Sequence, residues 1–302
     1  MPRHFLRILD LDRESAWKVL RRALAVKQDG CASAPLSGRT VILVFEKPST
    51  RTRVSFEVAV HNLGGTTIFM SNKESQLGRN EPLKDTARVL SRYADALVVR
   101  TFGQDNLDEL ARYASIPVIN ALTDEYHPCQ VMSDVLTIFE RRPDLEKVKV
   151  AWVGDGNNMA HSWINAAAHF PFELVLAAPR GYEPDPDVVG NARRLGAKVT
   201  LTHDPEKAVA GAHFVNTDVW ASMGRESEHS ARVDIFQAYQ VNAELLSAAH
   251  PEACVMHCLP AHRGEEITDQ VVEGPRSIVW DQAENRLHMQ KALLEWIFED
   301  RN

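Results

Sequence analysis

Short apolar runs at Val41–Phe45, Ala96–Val99, Val148–Val153, Leu174–Ala177, His213–Asn216 and Cys254–His257 alternate along the chain with longer segments of helical period. Runs that stay apolar at consecutive positions suit strands covered on both faces, and strands separated by helices suit parallel sheets. The expected fold class is α/β, with two doubly wound parallel-sheet domains and a cleft between them where ligands would sit. Length allows this, because 302 residues, 44% of them hydrophobic and 25% charged, can build two cores. The polar stretch Arg141–Lys147 precedes a fresh strand and a renewed alternation, so the boundary is expected between residues 1–143 and 144–302. Met289, Leu293, Trp296 and Ile297 form a last apolar stripe, in a helix over about 285–300 expected to pack back on the first domain.

A net charge of -7 argues against nucleic-acid or anionic-membrane partners, which would be repelled at long range, so an anionic substrate needs a local basic cluster. The sequence contains no apolar run of about 18 residues, and Met1–Asp12 mixes charges with apolar side chains, unlike a signal peptide. A cytoplasmic location is expected. Cys31, Cys129, Cys254 and Cys258 lack CxxC spacing and are read as reduced thiols.

Between Arg51 and Leu63, the residues Phe56, Ala59, Val60 and Leu63 share one helical stripe that Gly64-Gly65 ends. The loop before it, Phe45-Glu46-Lys47-Pro48-Ser49-Thr50-Arg51-Thr52-Arg53, therefore puts hydroxyl and guanidinium groups at a helix start behind a strand. Unpaired helix N–H groups, Ser49, Thr50 and Thr52 as donors, and Arg51 as a two-pronged cation together suit a phosphate. A simple Ser or Thr cap with arginines in solvent fits the same residues. Pro128 suits the first position of a helix carrying Val131, Val135, Ile138 and Phe139 on one face, with Pro143 beyond its end. His127 then stands at the helix mouth, where Gln130 can also reach inward, although a lone His before Pro is more often a capping or surface residue.

Gly154-Asp155-Gly156-Asn157-Asn158 follows a strand but lacks GxGxxG, so a dinucleotide site is weakly supported and a loop with an Asn cap serves as well. His257, Cys258 and His262 offer soft ligands without a fourth at suitable spacing, and no metal site is expected. Asp218 with Ser222-Met223-Gly224 reads locally as a polar loop.

Taken together, Ser49-Thr50-Arg51-Thr52-Arg53, His127-Pro128-Cys129-Gln130, Asp218 with Ser222-Met223-Gly224, and His257-Cys258-Leu259-Pro260 resemble, in order, four motifs of the aspartate and ornithine carbamoyltransferase family. The resemblance spans essentially the whole chain. It implies transfer of the carbamoyl group of carbamoyl phosphate to the side-chain amine of L-ornithine, giving citrulline, in arginine metabolism. Cys129, where aspartate enzymes have Thr, and the Ser222-Met223-Gly224 loop both point to ornithine, and Thr50 stands where enzymes for acetylated or succinylated ornithine usually carry Leu.

By the same resemblance, carbamoyl phosphate is bound by Ser49, Thr50, Arg51, Thr52, Gln76, Arg100, His127, Pro128, Cys129, Gln130, Cys258, Leu259 and Arg286, and ornithine by Asn158, Asp218, Ser222 and Met223. The resemblance also implies that Arg100, His127, Asp218 and Cys258 carry the catalysis. Gln76 would reach across a subunit interface, so a homotrimer, with higher assembly open, is implied. The segment Ser75–Pro82 resembles the family too, but Asn80 replaces its usual Gly, and Asn is the side chain that best tolerates positive φ. Because carbamoyl phosphate already carries a leaving group, no cofactor, metal or covalent intermediate is expected, and positioning with electrostatics can suffice.

Overall fold

The computed structural model describes residues 2–30, 33–71, 81–221 and 229–299. The chain divides into two compact units, Met1–Leu136 with Asn285–Asn302, and Thr137–Glu284. The first runs through α1 (Arg13–Asp29), β1 (Thr40–Phe45), α2 (Thr50–Asn62), β2 (Thr66–Ser71), α3 (Leu83–Leu90), β3 (Ala96–Arg100), α4 (Gln104–Tyr113), β4 (Val118–Leu122) and the opening of α5 (Pro128–Arg141). Its four strands are parallel in the order β2-β1-β3-β4.

The second unit runs through β5 (Lys149–Val153), α6 (Asn158–His169), β6 (Glu173–Ala177), α7 (Pro186–Arg194), β7 (Lys198–Thr202), α8 (Pro205–Val209), β8 (Phe214–Thr217), α9 (His229–Phe236), α10 (Ala243–Ser247), β9 (Cys254–His257), α11 (Asp269–Val272) and the opening of α12 (Val279–Phe298). Five parallel strands take the order β7-β6-β5-β8-β9. The expected α/β class with two parallel sheets is what the chain adopts, and all six apolar runs are strands.

Three further strands lie outside those runs, for physical reasons. β2 and β7 are edge strands with residues of alternating or partial exposure, so neither needs a continuous apolar run. In β4 the fully buried Asn120 interrupts the pattern, and its side-chain amide donates to the carbonyl of Leu6 at 2.8 Å.

One face of the first sheet packs Ile42, Val44, Leu97 and Val99 against Ala87 and Leu90 of α3 and Leu107 and Leu110 of α4. In the second unit, Ala151, Val153, Val215 and Val255 pack on Ala208 and Val209 of α8 and Leu245 and Leu246 of α10. Each Val, Leu or Ile among them contributes about 1.5–3 kcal/mol on burial. Those layers fix the strand ends. In both sheets the winding reverses beside the first strand, between β1 and β3 and between β5 and β8, and in doubly wound sheets such a reversal opens a crevice at the carboxyl ends. The residues placed there are Glu46–Ser49 and Arg100-Thr101 in the first unit, and Gly154–Asn157 and Asp218 in the second.

Candidate active site

In the first unit, Ser49 caps α2, its hydroxyl oxygen accepting from the Thr52 N–H at 3.3 Å. The cap leads into exposed Thr50, half-buried Arg51 and fully buried Thr52. Thr52 Oγ1 accepts from Arg286 Nη2 at 2.5 Å, Arg286 Nη1 donates to Gln130 Oε1 at 2.8 Å, and Gln130 Nε2 donates to Asp134 Oδ1 at 2.8 Å. All four residues are buried. One guanidinium thus joins the start of α2 to the start of α5, with Asp134 supplying a negative end.

Arg100, buried at the end of β3, accepts the Glu46 N–H on its carbonyl at 2.8 Å. The Thr101 hydroxyl donates to the Glu46 carboxylate, and buried Lys47 pairs with Asp124 and lies 4.4 Å from the centre of the Phe102 ring. These ties hold the β1–α2 and β3–α4 connections together.

His127 is buried, and its pKa lies well below the usual 6.5, first because burial disfavours the imidazolium and then because the charges of Arg286 and Arg100 oppose it. It is therefore a neutral imidazole beside two cations, suited to donate to a carbonyl oxygen. Cys129 is also buried, its thiol pushed up to about 12 by burial, and Sγ donates to the Asn120 carbonyl at 3.2 Å. The thiol is committed to β4, which leaves the backbone of Pro128 and Cys129 as the part that can face a ligand.

In the second unit, Asn157 caps α6, its oxygen accepting from the N–H groups of Met159 and Ala160 at 3.0 and 3.3 Å. Its amide nitrogen donates to Asp218 Oδ2 at 3.2 Å. The other oxygen, Oδ1, accepts from the Val219 N–H at 2.8 Å and from Cys258 Sγ at 3.0 Å. A buried carboxylate, a half-buried thiol and a helix cap thus converge at the carboxyl ends of β5, β8 and β9, with Asn158 buried in the first turn of α6. Gly156 permits this turn, since a Cβ there would lie 2.2 Å from the nitrogen of Pro184.

Asp218, His257 and Cys258 present donor atoms within 4.8 Å of one another, as do His262, Glu265 and Glu266. A metal at the first set would have to displace a hydrogen bond of His257, whose ring nitrogens meet the Leu259 N–H at 2.8 Å and Glu266 at 3.0 Å. Gln76, Asn80, Ser222, Met223 and Gly224 lie outside the described residues.

Residues 3–140 match the family description "Aspartate/ornithine carbamoyltransferase, carbamoyl-P binding domain", and residues 146–297 match "Aspartate/ornithine carbamoyltransferase, Asp/Orn binding domain". The chain belongs to the aspartate/ornithine carbamoyltransferase family. Among carbamoyltransferases it is 64% identical to the ornithine carbamoyltransferase of Nitratidesulfovibrio vulgaris, over 99% of this chain and 100% of that protein. It is 65% identical to the ornithine carbamoyltransferase of Oleidesulfovibrio alaskensis over the same shares, 99% and 100%. The structure of ornithine carbamoyltransferase from Pyrococcus furiosus superposes with a TM-score of 0.92 at 48% identity, covering 97% of this chain and 96% of that one.

Three residues that hold these loops in place escape sequence reasoning. Asp134 follows Gln130 by four residues, a helical neighbour spacing that offered a signal. Arg232 gave none. From α9 it donates to Asp155 Oδ2 and to the Trp220 carbonyl, both at 2.7 Å, and so ties the loop after β5 to the loop after β8. Glu266 gave none either.

The His127 environment sets a pH dependence. Its folded pKa is below 6.5, so between the two values the unfolded chain binds more protons and stability falls as pH drops below about 6.5. Urea midpoints measured across that range are expected to fall less steeply for His127→Gln than for the natural carbamoyltransferase; parallel slopes would refute the assignment of a neutral buried imidazole.

Proposed function

We propose that this protein transfers the carbamoyl group of carbamoyl phosphate to the side-chain amine of L-ornithine, forming L-citrulline and releasing phosphate. The observation that carries this reading is the full-length similarity to ornithine carbamoyltransferases. In the first unit, Arg286, Arg100, Arg51 and Thr52 at the start of α2, with Ser49 and Thr50, hold the phosphate and the oxygen that gains charge, while His127 and Gln130 address the carbamoyl carbonyl. The Arg286 network and the neutral His127 support that division of roles.

In the second unit, Asp218 receives the ammonium of ornithine, Cys258 and Leu259 frame the reacting amine, and Asn158 with Ser222 and Met223 holds the amino-acid head. The convergence of Asn157, Cys258 and Val219 on one carboxylate supports this reading. The amine attacks after losing a proton, because an alkylammonium with a pKa of about 10.4 has no lone pair. Its nitrogen bonds to the carbonyl carbon, the bond from that carbon to the phosphate oxygen breaks, phosphate leaves with the electron pair, and the extra proton on the nitrogen passes to a phosphate oxygen.

A homotrimer in the cytoplasm, serving arginine biosynthesis, completes the proposal. Val54 and Val58 on α2 and Ile68 on edge strand β2 are exposed apolar side chains that a subunit contact would cover, and among the described residues no helix is long and apolar enough to cross a membrane.

Citrulline formation with ornithine, run beside putrescine, aspartate and N-acetylornithine, tests the acceptor. Strong preference for ornithine is expected. Preference for another acceptor would keep the first unit's assignment and overturn the second's.

A further inference from the structure

Beyond Cys258 the chain carries a buried hydrogen-bond system that the proposed reaction does not use directly. β9 ends at fully buried His257, whose backbone N–H donates to Gln282 Oε1 at 2.8 Å. Its Nδ1 faces the N–H of Leu259 at 2.8 Å, and its Nε2 lies 3.0 Å from Glu266 Oε1. That same oxygen accepts the N–H of His262 at 2.6 Å. Glu266 is 0% exposed, and its second oxygen, Oε2, is buried without a hydrogen-bond partner among the described residues.

The donors settle where the protons lie. A backbone N–H can only donate, so Nδ1 must present its lone pair to Leu259, and the ring proton belongs on Nε2, where Glu266 accepts it. An imidazolium, or the other tautomer, would set two N–H groups head to head. Leu259 is held by this contact at φ 58, a conformation that non-glycine residues adopt only when their surroundings enforce it. One carboxylate oxygen therefore fastens the segment 257–262 at both ends, through the ring of His257 and through the backbone of His262. Between those anchors lies Cys258, whose Sγ reaches Asp218 at 3.0 Å.

We propose that Glu266 and His257 are positioning residues for the carbamoyl transfer: the buried carboxylate selects the Nε2-protonated imidazole, the imidazole fixes the Leu259 amide, and that amide sets Cys258 against Asp218. The inference rests on the reading of Asp218 and Cys258 as the ornithine-amine site. Neither Glu266 nor His257 touches substrate in this scheme. The arrangement gives a reason for a glutamate with one oxygen unpaired in the interior: a single oxygen able to accept two N–H groups is what the segment needs, and a buried carboxylate supplies it while leaving the other idle.

The test uses the full chain. Long-range ¹H–¹⁵N spectra of histidine-labelled protein, with His257 assigned by its loss in His257→Asn, are expected to show a neutral ring protonated at Nε2 near neutral pH. A ring protonated at Nδ1, or at both nitrogens, in the natural protein would overturn the proposal. In Glu266→Gln the oxygen can still accept, but the amide N–H groups fall where Oε2 lies buried, so the segment shifts. The expected result is a kcat lower by between about tenfold and a hundredfold, the scale of a slightly misplaced reacting group, with KM for carbamoyl phosphate within about twofold. Peptide-resolved alkylation by iodoacetamide is expected to label Cys258 faster in the variant. Unchanged kcat together with unchanged Cys258 labelling, or loss of thermal stability alone, would overturn it. Because the tautomer and the labelling are read without turnover, failure of the ornithine reaction itself would be seen separately, in the acceptor panel.

Discussion

Replacing Arg286 by methionine is expected to lower kcat/KM for carbamoyl phosphate by roughly 10²- to 10⁴-fold, the equivalent of two charge-assisted hydrogen bonds at about 1.5–3 kcal/mol each. The guanidinium spans Thr52 and Gln130, so its loss removes a cation from the proposed phosphate site and also strips the partners that aim both side chains. Methionine keeps the volume of the stem and isolates the charge. A second readout separates this from general damage. The charge of Arg286 is one of the causes holding the His127 pKa down, so in the variant that pKa rises toward 6.5 and the acid limb of the stability profile becomes shallower. Wild-type kcat/KM in the variant would remove Arg286 from the site.

Asp218→Asn should raise KM for ornithine by between about 10- and 100-fold while leaving carbamoyl phosphate binding unchanged. The substitution keeps the shape and retains an oxygen for the N–H of Val219 and the thiol of Cys258, but it deletes the negative charge that would pair with the ammonium. It also turns an acceptor toward Asn157 into a donor facing a donor. A charge-assisted hydrogen bond in a buried setting contributes about 1.5–3 kcal/mol, which sets the scale of the expected loss. Equilibrium binding of carbamoyl phosphate by calorimetry serves as the internal control. An ornithine KM within about twofold of the natural protein would show that the carboxylate holds the loop after β8 and nothing more.

The residues of the two units differ in how far the sequence makes them legible. Ser49–Arg53 and His127–Gln130 could be read locally, because a strand, a short polar loop and an amphipathic helix place hydroxyl, imidazole and guanidinium groups at a helix start wherever that pattern occurs. Their partners could not. Arg286 lies 234 residues from Thr52 and 156 from Gln130, and Arg232 lies 77 residues from Asp155. Cys258 and Asp218 are 40 residues apart and meet because β8 and β9 are neighbours in the sheet. Cys129 shows the opposite case: its position in a motif suggests a ligand contact, while its thiol is turned to the Asn120 carbonyl.

By itself the sequence determined the class of fold and the chemistry each loop has to offer. Strands buried on both faces demand consecutive apolar residues, helices demand a stripe, and these local demands are written at β1, β3, β5, β6, β8 and β9. They weaken at the edges, where β2 and β7 are only half covered. Tertiary structure decided which loops meet. The strand orders β2-β1-β3-β4 and β7-β6-β5-β8-β9 bring the carboxyl end of β1 beside that of β3, and of β5 beside that of β8, and no periodicity along the chain encodes a neighbour across the sheet. The buried charges of Asp134 and Glu266 belong to the same level, since only the packed interior shows that one orients Gln130 and the other His257.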